Sequence, residues 1–134
     1  MLRKVLRSKI HRATITQCDL HYVGSITIDA DLLHEVDIRP NETVWIYDID
    51  NGARLETYVI RGKAGSGIIG INGAAARLVE KGHQVIIASY GLINDVAADL
   101  DNHVAKVVIC DAENKVEQRL TYDSLIDVAE DAAV

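Results

Sequence analysis

The 134-residue sequence contains one proline, Pro40, and two cysteines, Cys18 and Cys110. Two thiols so far apart imply no disulfide framework, and a reducing cytoplasm is the plainer expectation. With no Pro/Ser-rich stretch there is no candidate linker, so one domain over residues 1–134 is expected. A domain of that length buries roughly two-thirds of its unfolded surface and needs no staples. No apolar run approaches the roughly 20 residues of a membrane helix. The opening MLRKVLRSKIHRAT is basic but lacks the apolar run of a signal peptide. Repeats and low-complexity segments are missing too. The formal net charge of -6 argues against a general nucleic-acid binder. That charge is uneven. Arg3, Lys4, Arg7, Lys9 and Arg12 stand in residues 1–12 without an acid, and Asp123, Asp127, Glu130 and Asp131 stand in residues 123–134 without Lys or Arg. A solvated basic strand and a frayed acidic tail are the expectation, with Lys9 set apart for the reasons below.

Short apolar runs between turn signals dominate what is there. With 49% hydrophobic and 25% charged residues the chain can build a real core. Strands are predicted over Val5–Thr16, Ser25–Ile28, Thr43–Ile49, Arg54–Ile60, Gly67–Asn72, Gln84–Tyr90 and Val104–Cys110, the last turning through 111–114 into Lys115–Thr121. Asp50-Asn51-Gly52 between two alternating runs is a strong hairpin signal. Helical signals are short: Asp29–Val36 with Asp29 at the N-cap, Ala74–Lys81 ending at Gly82, and Asn94–Leu100. The sum is a mainly β fold, a small barrel with short helices at its corners.

The chemically informative segment is Asp19–Ser25, DLHYVGS. A serine hydroxyl can attack the carbonyl of the preceding residue and move the acyl group from nitrogen to oxygen. Glycine at that preceding position leaves the carbonyl sterically open. β-Elimination of the ester leaves dehydroalanine, which hydrolyses to a pyruvoyl group and ammonia. The product is a ketone at a new N-terminus, able to form a Schiff base with an amine. A lone Gly-Ser pair is ordinarily just a turn.

Four blocks give the pair its context: K-I-H-R at 9–12, L-H-Y-V-G-S-x-x-I-D at 20–29, N-G-x-R-x-x-T-Y at 51–58 and G-x-I-x-x-N-G-A-A-A at 67–76. In order and spacing they resemble the bacterial, pyruvoyl-dependent aspartate 1-decarboxylases, over about residues 1–90; the stretch beyond Tyr90 is less typical. The resemblance implies a six-stranded double-psi β-barrel and a homotetramer with sites near subunit boundaries. It implies conversion of L-aspartate to β-alanine and CO2, supplying pantothenate and coenzyme A. The cofactor it implies is a covalent pyruvoyl made from Ser25, with neither pyridoxal phosphate nor metal. The precursor would be cut into a β chain, 1–24, and an α chain, 25–134; whether a maturation factor assists is left open.

Carried over by resemblance, Gly24 supplies the scissile carbonyl and Ser25 the nucleophile and later the pyruvoyl. Thr57 resembles the residue that holds the Gly24 carbonyl during processing and contacts substrate. Asn72 resembles an amide that stabilises charged intermediates, and Tyr58 the proton donor. Gly73, Ala74 and Ala75 resemble a segment that binds substrate through its backbone, Lys9 and Arg54 the cations for substrate carboxylates, and His11, His21 and Tyr22 supporting residues. Elementary chemistry agrees at several points. A dianionic substrate needs cations, and a guanidinium can clamp a carboxylate with two hydrogen bonds. Small residues opening a short helix expose backbone N–H groups to an anion. Strand alternation is a difficulty, because it sets Thr57 and Tyr58 on opposite faces. Both reach one site only at a bulge, a strand end, a strand edge or an interface.

Other readings are weaker. Cys18 and His21 lack a second ligand pair for a metal site, and no His and acid at recognisable spacing support Cys18 as a catalytic thiol. A pyruvoyl decarboxylase of another amino acid and a non-catalytic double-psi barrel serving as a binding module are the remaining alternatives. The retained Gly24-Ser25, Thr57, Tyr58 and Asn72 speak against the module.

Overall fold

The alternating apolar runs become strands because each has one face to bury. The computed structural model describes residues 1–127, so Glu130 and Asp131 of the expected acidic tail lie outside the described residues. The elements, in chain order, are β1 (Leu2–Thr14), β2 (Gln17–Asp19), β3 (Ser25–Asp29), α1 (Ala30–Val36), β4 (Thr43–Asp48), β5 (Arg54–Gly62), β6 (Ile69–Asn72), a 3-10 turn (Gly73–Arg77), β7 (Gln84–Asn94), α2 (Ala97–Asn102), β8 (Val104–Cys110) and β9 (Val116–Asp123). Among the described residues nine strands form one sheet in the order β2-β6-β3-β5-β4-β7-β1-β8-β9. Among the described residues no helix is long and apolar enough to cross a membrane.

The sheet closes because β1 does not stop at its end. At Ile15 the chain is still tied to the start of β7, Ile15 N–H donating to the His83 carbonyl at 2.9 Å. One residue on, Thr16 N–H donates to the Ile69 carbonyl at 2.8 Å, and Ile69 N–H donates back to the Thr16 hydroxyl at 3.0 Å. The chain then pairs with β6 as β2. Counting β1 and β2 as one continuous stave gives six: β1–β2, β6, β3, β5, β4 and β7. The fold is mainly β and consistent with the expected small double-psi barrel. The β8–β9 hairpin lies outside the ring, β8 running parallel to β1.

Every stave sends an isoleucine or valine inward. Ile10, Ile15, Ile26, Ile28, Ile46, Val59, Ile69, Ile71 and Ile87 are at most 1% exposed. Each contributes about 1.5–3 kcal/mol by leaving water. Leu32, Leu33 and Val36 of α1 add to the same core. The helix starts where expected: Asp29 caps it, its carboxylate accepting from Asp31 N–H at 2.8 Å, and the same carboxylate takes Gly65 and Gly67 N–H.

Two helical expectations are corrected. The run Ala74–Lys81 forms only the 3-10 turn. The Leu78 carbonyl is taken by the Asn51 side chain at 2.8 Å, and Gly82 N–H, which a continuing helix would bond to it, donates to Ile15 instead. The helix expected over 94–100 starts later, at Ala97, because antiparallel pairing with β1 carries β7 as far as Asn94.

Candidate active site

The candidate residues converge where β3 begins. Ser25 pairs with Asn72 across the antiparallel β3–β6 ladder. On the other side, β3 meets β5 in parallel only from Ile26 opposite Val59 onward. The earlier half of β5, Arg54–Tyr58, is therefore hydrogen-bonded to β4 alone and leaves an open edge beside Ser25. That edge resolves the alternation difficulty. Tyr58 and Ser25, each one residue before the Val59–Ile26 pair, share one face, and Thr57 shares the face of Val59. Both nevertheless line one pocket of about 320 Å³, together with Gly24, Ser25, Leu55, Glu56, Asn72, Ala74, Ala75 and Leu78.

Ser25 is fully buried and Asn72 is 3% exposed. The Asn72 side-chain amide donates to the Ser25 hydroxyl at 3.0 Å and to the Thr27 hydroxyl at 3.1 Å. Gly73, next along the chain, has φ +73, a left-handed conformation that favours glycine. A Cβ at Gly73 would lie 2.6 Å from the Gly24 Cα, so a missing side chain lets the Gly24-Ser25 segment sit directly on the end of β6. The chain reaches that point from β2 through a tight turn, with His21 N–H bonded to the Asp19 carboxylate at 3.1 Å. Tyr22 and Val23, at 58% and 73% exposed, are pushed into solvent.

The other candidates lie elsewhere in the single chain. The Lys9 ammonium is 5.2 Å from the centre of the Tyr122 ring, on the β1–β9 side. The Arg54 guanidinium stacks 4.0 Å from the Tyr47 ring centre and lines a separate pocket of about 340 Å³ with Lys4, Trp45, Tyr47 and Tyr90. His11 stands on β1 opposite Ile109, its Nδ1 buried without a hydrogen-bond partner. Burial first, then Lys9 and Arg12, pushes its pKa below the ordinary histidine value. His21 is exposed. Reasoning from sequence missed Leu55, Glu56, Leu78 and Thr27. Thr27 alone had a signal available: two residues from Ser25 on one strand, it shares its face.

The thiols are not activated. Burial, then Glu80, raises the Cys18 pKa, and burial pushes Cys110 up to about 12. Among the described residues Asp48, Asp50 and His83 bring candidate ligand atoms within 4.8 Å of one another. Those atoms are already engaged: Asp48 accepts from Asp50 and Asn51 N–H and meets His83 Nδ1 at 2.7 Å, and Asp50 accepts from Gln84 N–H. The cluster is accounted for as a turn cap.

A family model described as aspartate decarboxylase matches residues 1–117, past the Tyr90 limit expected from the motifs alone.

Proposed function

The chain belongs to the aspartate decarboxylase family, and on that premise we propose that it cuts itself between Gly24 and Ser25, converts Ser25 to a pyruvoyl group and forms β-alanine from L-aspartate for pantothenate synthesis. The observation that carries the proposal is the buried Ser25 hydroxyl, held at 3.0 Å by the Asn72 amide in a pocket that Gly24, Thr57 and Tyr58 also line. The residues fit such a group. Gly24 is packed closely enough on Gly73 to fix the preceding peptide, and Ala74 and Ala75 keep the pocket open beside it. A ketone there supplies a carbonyl that condenses with the substrate amine and an electron sink for the loss of CO2.

The chain's own residues then have distinct tasks. In cleavage, Ser25 Oγ attacks the Gly24 carbonyl while the Asn72 amide holds the attacking oxygen, and the Thr57 hydroxyl offers a donor to the developing oxyanion; one such donor is worth about 10²–10³ in rate. In turnover, Tyr58 delivers a proton to the carbon that has lost CO2. The backbone N–H groups of Gly73, Ala74 and Ala75 face the substrate. Lys9 and Arg54 supply charge for its two carboxylates. Neither lines the Ser25 pocket of its own chain, which supports a homotetramer in which they reach the pocket of a second copy. The cytoplasm is the proposed compartment.

Intact mass tests this directly. Purified protein is expected as fragments 1–24 and 25–134, the second lighter by one ammonia than a serine-ended chain. A 25–134 fragment that keeps its serine after long incubation would indicate simple proteolysis and overturn the proposal.

A further inference from the structure

The Asn72 amide carries two N–H groups, and only one of them meets Ser25. The other is held by the Thr27 hydroxyl at 3.1 Å. Thr27 is itself locked. A Cβ at Gly62 would come within 3.1 Å of the Thr27 Cγ2 and 2.4 Å of the Ile68 Cγ2, so the bare glycine is what makes room for both methyl groups. A β-branched side chain on a strand is stiff about χ1. With its methyl seated against Gly62, its hydroxyl is left on the Asn72 side.

We propose that Thr27 is a positioning residue for self-cleavage: its hydroxyl fixes the Asn72 amide so that the second N–H meets the Ser25 oxygen. The inference rests on the self-cleavage reading and deepens it. In that reaction the Ser25 Oγ bonds to the Gly24 carbonyl carbon as the Gly24–Ser25 amide bond breaks. The Ser25 Cβ–Oγ bond then breaks with loss of the Cα proton, and the oxygen leaves on the Gly24 carboxylate. Asn72 thus loses its Ser25 acceptor during maturation and keeps Thr27. The amide stays oriented, with the freed N–H facing the pocket that receives substrate.

The test follows cleavage of freshly expressed chain by intact mass in the parent, Thr27→Val, Thr27→Ser, Asn72→Ala and the Thr27→Val/Asn72→Ala double variant, with thermal melts as a check on folding. Thr27→Val, which keeps shape and loses the hydroxyl, is expected to cleave about 10-fold more slowly, in line with one lost hydrogen bond. Thr27→Ser should restore most of the rate. In the Asn72→Ala background Thr27→Val should have no further effect, whereas a merely structural role would slow both backgrounds alike. Should Thr27→Val fail to fold, Thr27→Ala takes its place in the same comparison. Parent-rate cleavage in the hydroxyl-less variant, or a Thr27→Ser variant as slow as it, overturns the role of Thr27 while leaving self-cleavage standing. A parent chain that never cleaves overturns the self-cleavage reading, and the role of Thr27 with it.

Discussion

Single residues in this site are placed by their neighbours' backbones more than by their own propensities. Thr57 and Tyr58 alternate faces as any strand pair does, and they share a pocket because β3 pairs with β5 only from Ile26 opposite Val59 onward, which leaves both uncovered. Tyr58 is 38% exposed, so its phenol packs loosely enough to serve as a proton donor at little structural cost. Tyr58→Phe is expected to leave cleavage and folding largely intact and to lower kcat by about 10²–10⁴, with KM nearly unchanged. Steady-state kinetics check this, and a variant that turns over at the parent rate removes Tyr58 from the proton-donor role.

Elements with local signatures were legible in the sequence. The Asp50-Asn51-Gly52 hairpin, β8 and the Asp29-capped helix all form where turn and capping chemistry put them. The three-residue β2, the seam at Thr16 and the truncated helix after Gly73 were not legible, because each depends on partners distant in sequence, 53 residues apart in the Thr16–Ile69 bonds and 27 in the Asn51–Leu78 bond. The site divides the same way. Ser25, Asn72, Thr57 and Tyr58 were found through their motif blocks, whereas Leu55, Glu56, Leu78 and Thr27 join only through the register of β3, β5 and β6.

One long-range contact gives the β4–β5 hairpin a pH dependence. The Asp48 carboxylate joins that hairpin to the start of β7 through His83 at 2.7 Å, and this hydrogen bond raises the His83 pKa above the ordinary 6.5. A histidine whose folded-state pKa is raised stabilises fully below its unfolded value, and the contribution fades as pH rises through the folded value. The difference in Tm between parent and His83→Gln is therefore expected to be largest near about pH 5 and to shrink toward about pH 8. A difference that grows with pH would contradict the assignment.

At the scale of the whole molecule, the positions of Lys9 and Arg54 make assembly a question of activity. One stands against Tyr122 and the other over Tyr47, outside the Ser25 pocket. If the carboxylate-binding charge comes from a second copy, specific activity falls as the protein is diluted below its dissociation constant. Sedimentation and assay over the same concentration series check this, and a monomer with full activity at the lowest concentration would contradict it. The same arrangement should discriminate against glutamate, whose extra methylene displaces one carboxylate from its cation.

The continuous stave β1–β2 has a consequence of its own once the chain is cut. Every residue of it lies before Gly24, so the 1–24 piece carries the strand that lies between β7 and β8 and then closes the ring onto β6. The proposed cleavage would turn one chain into an interlocked two-piece complex held by ladder hydrogen bonds and by Ile10 and Ile15 in the core. The precursor finds this arrangement by a unimolecular search. A cut protein, once denatured, would have to find it by collision, so its recovery would be second order in fragment concentration. Such a cleavage would make folding a history-dependent event: the molecule would be assembled while whole, and its later persistence would rest on slow unfolding more than on ready reassembly.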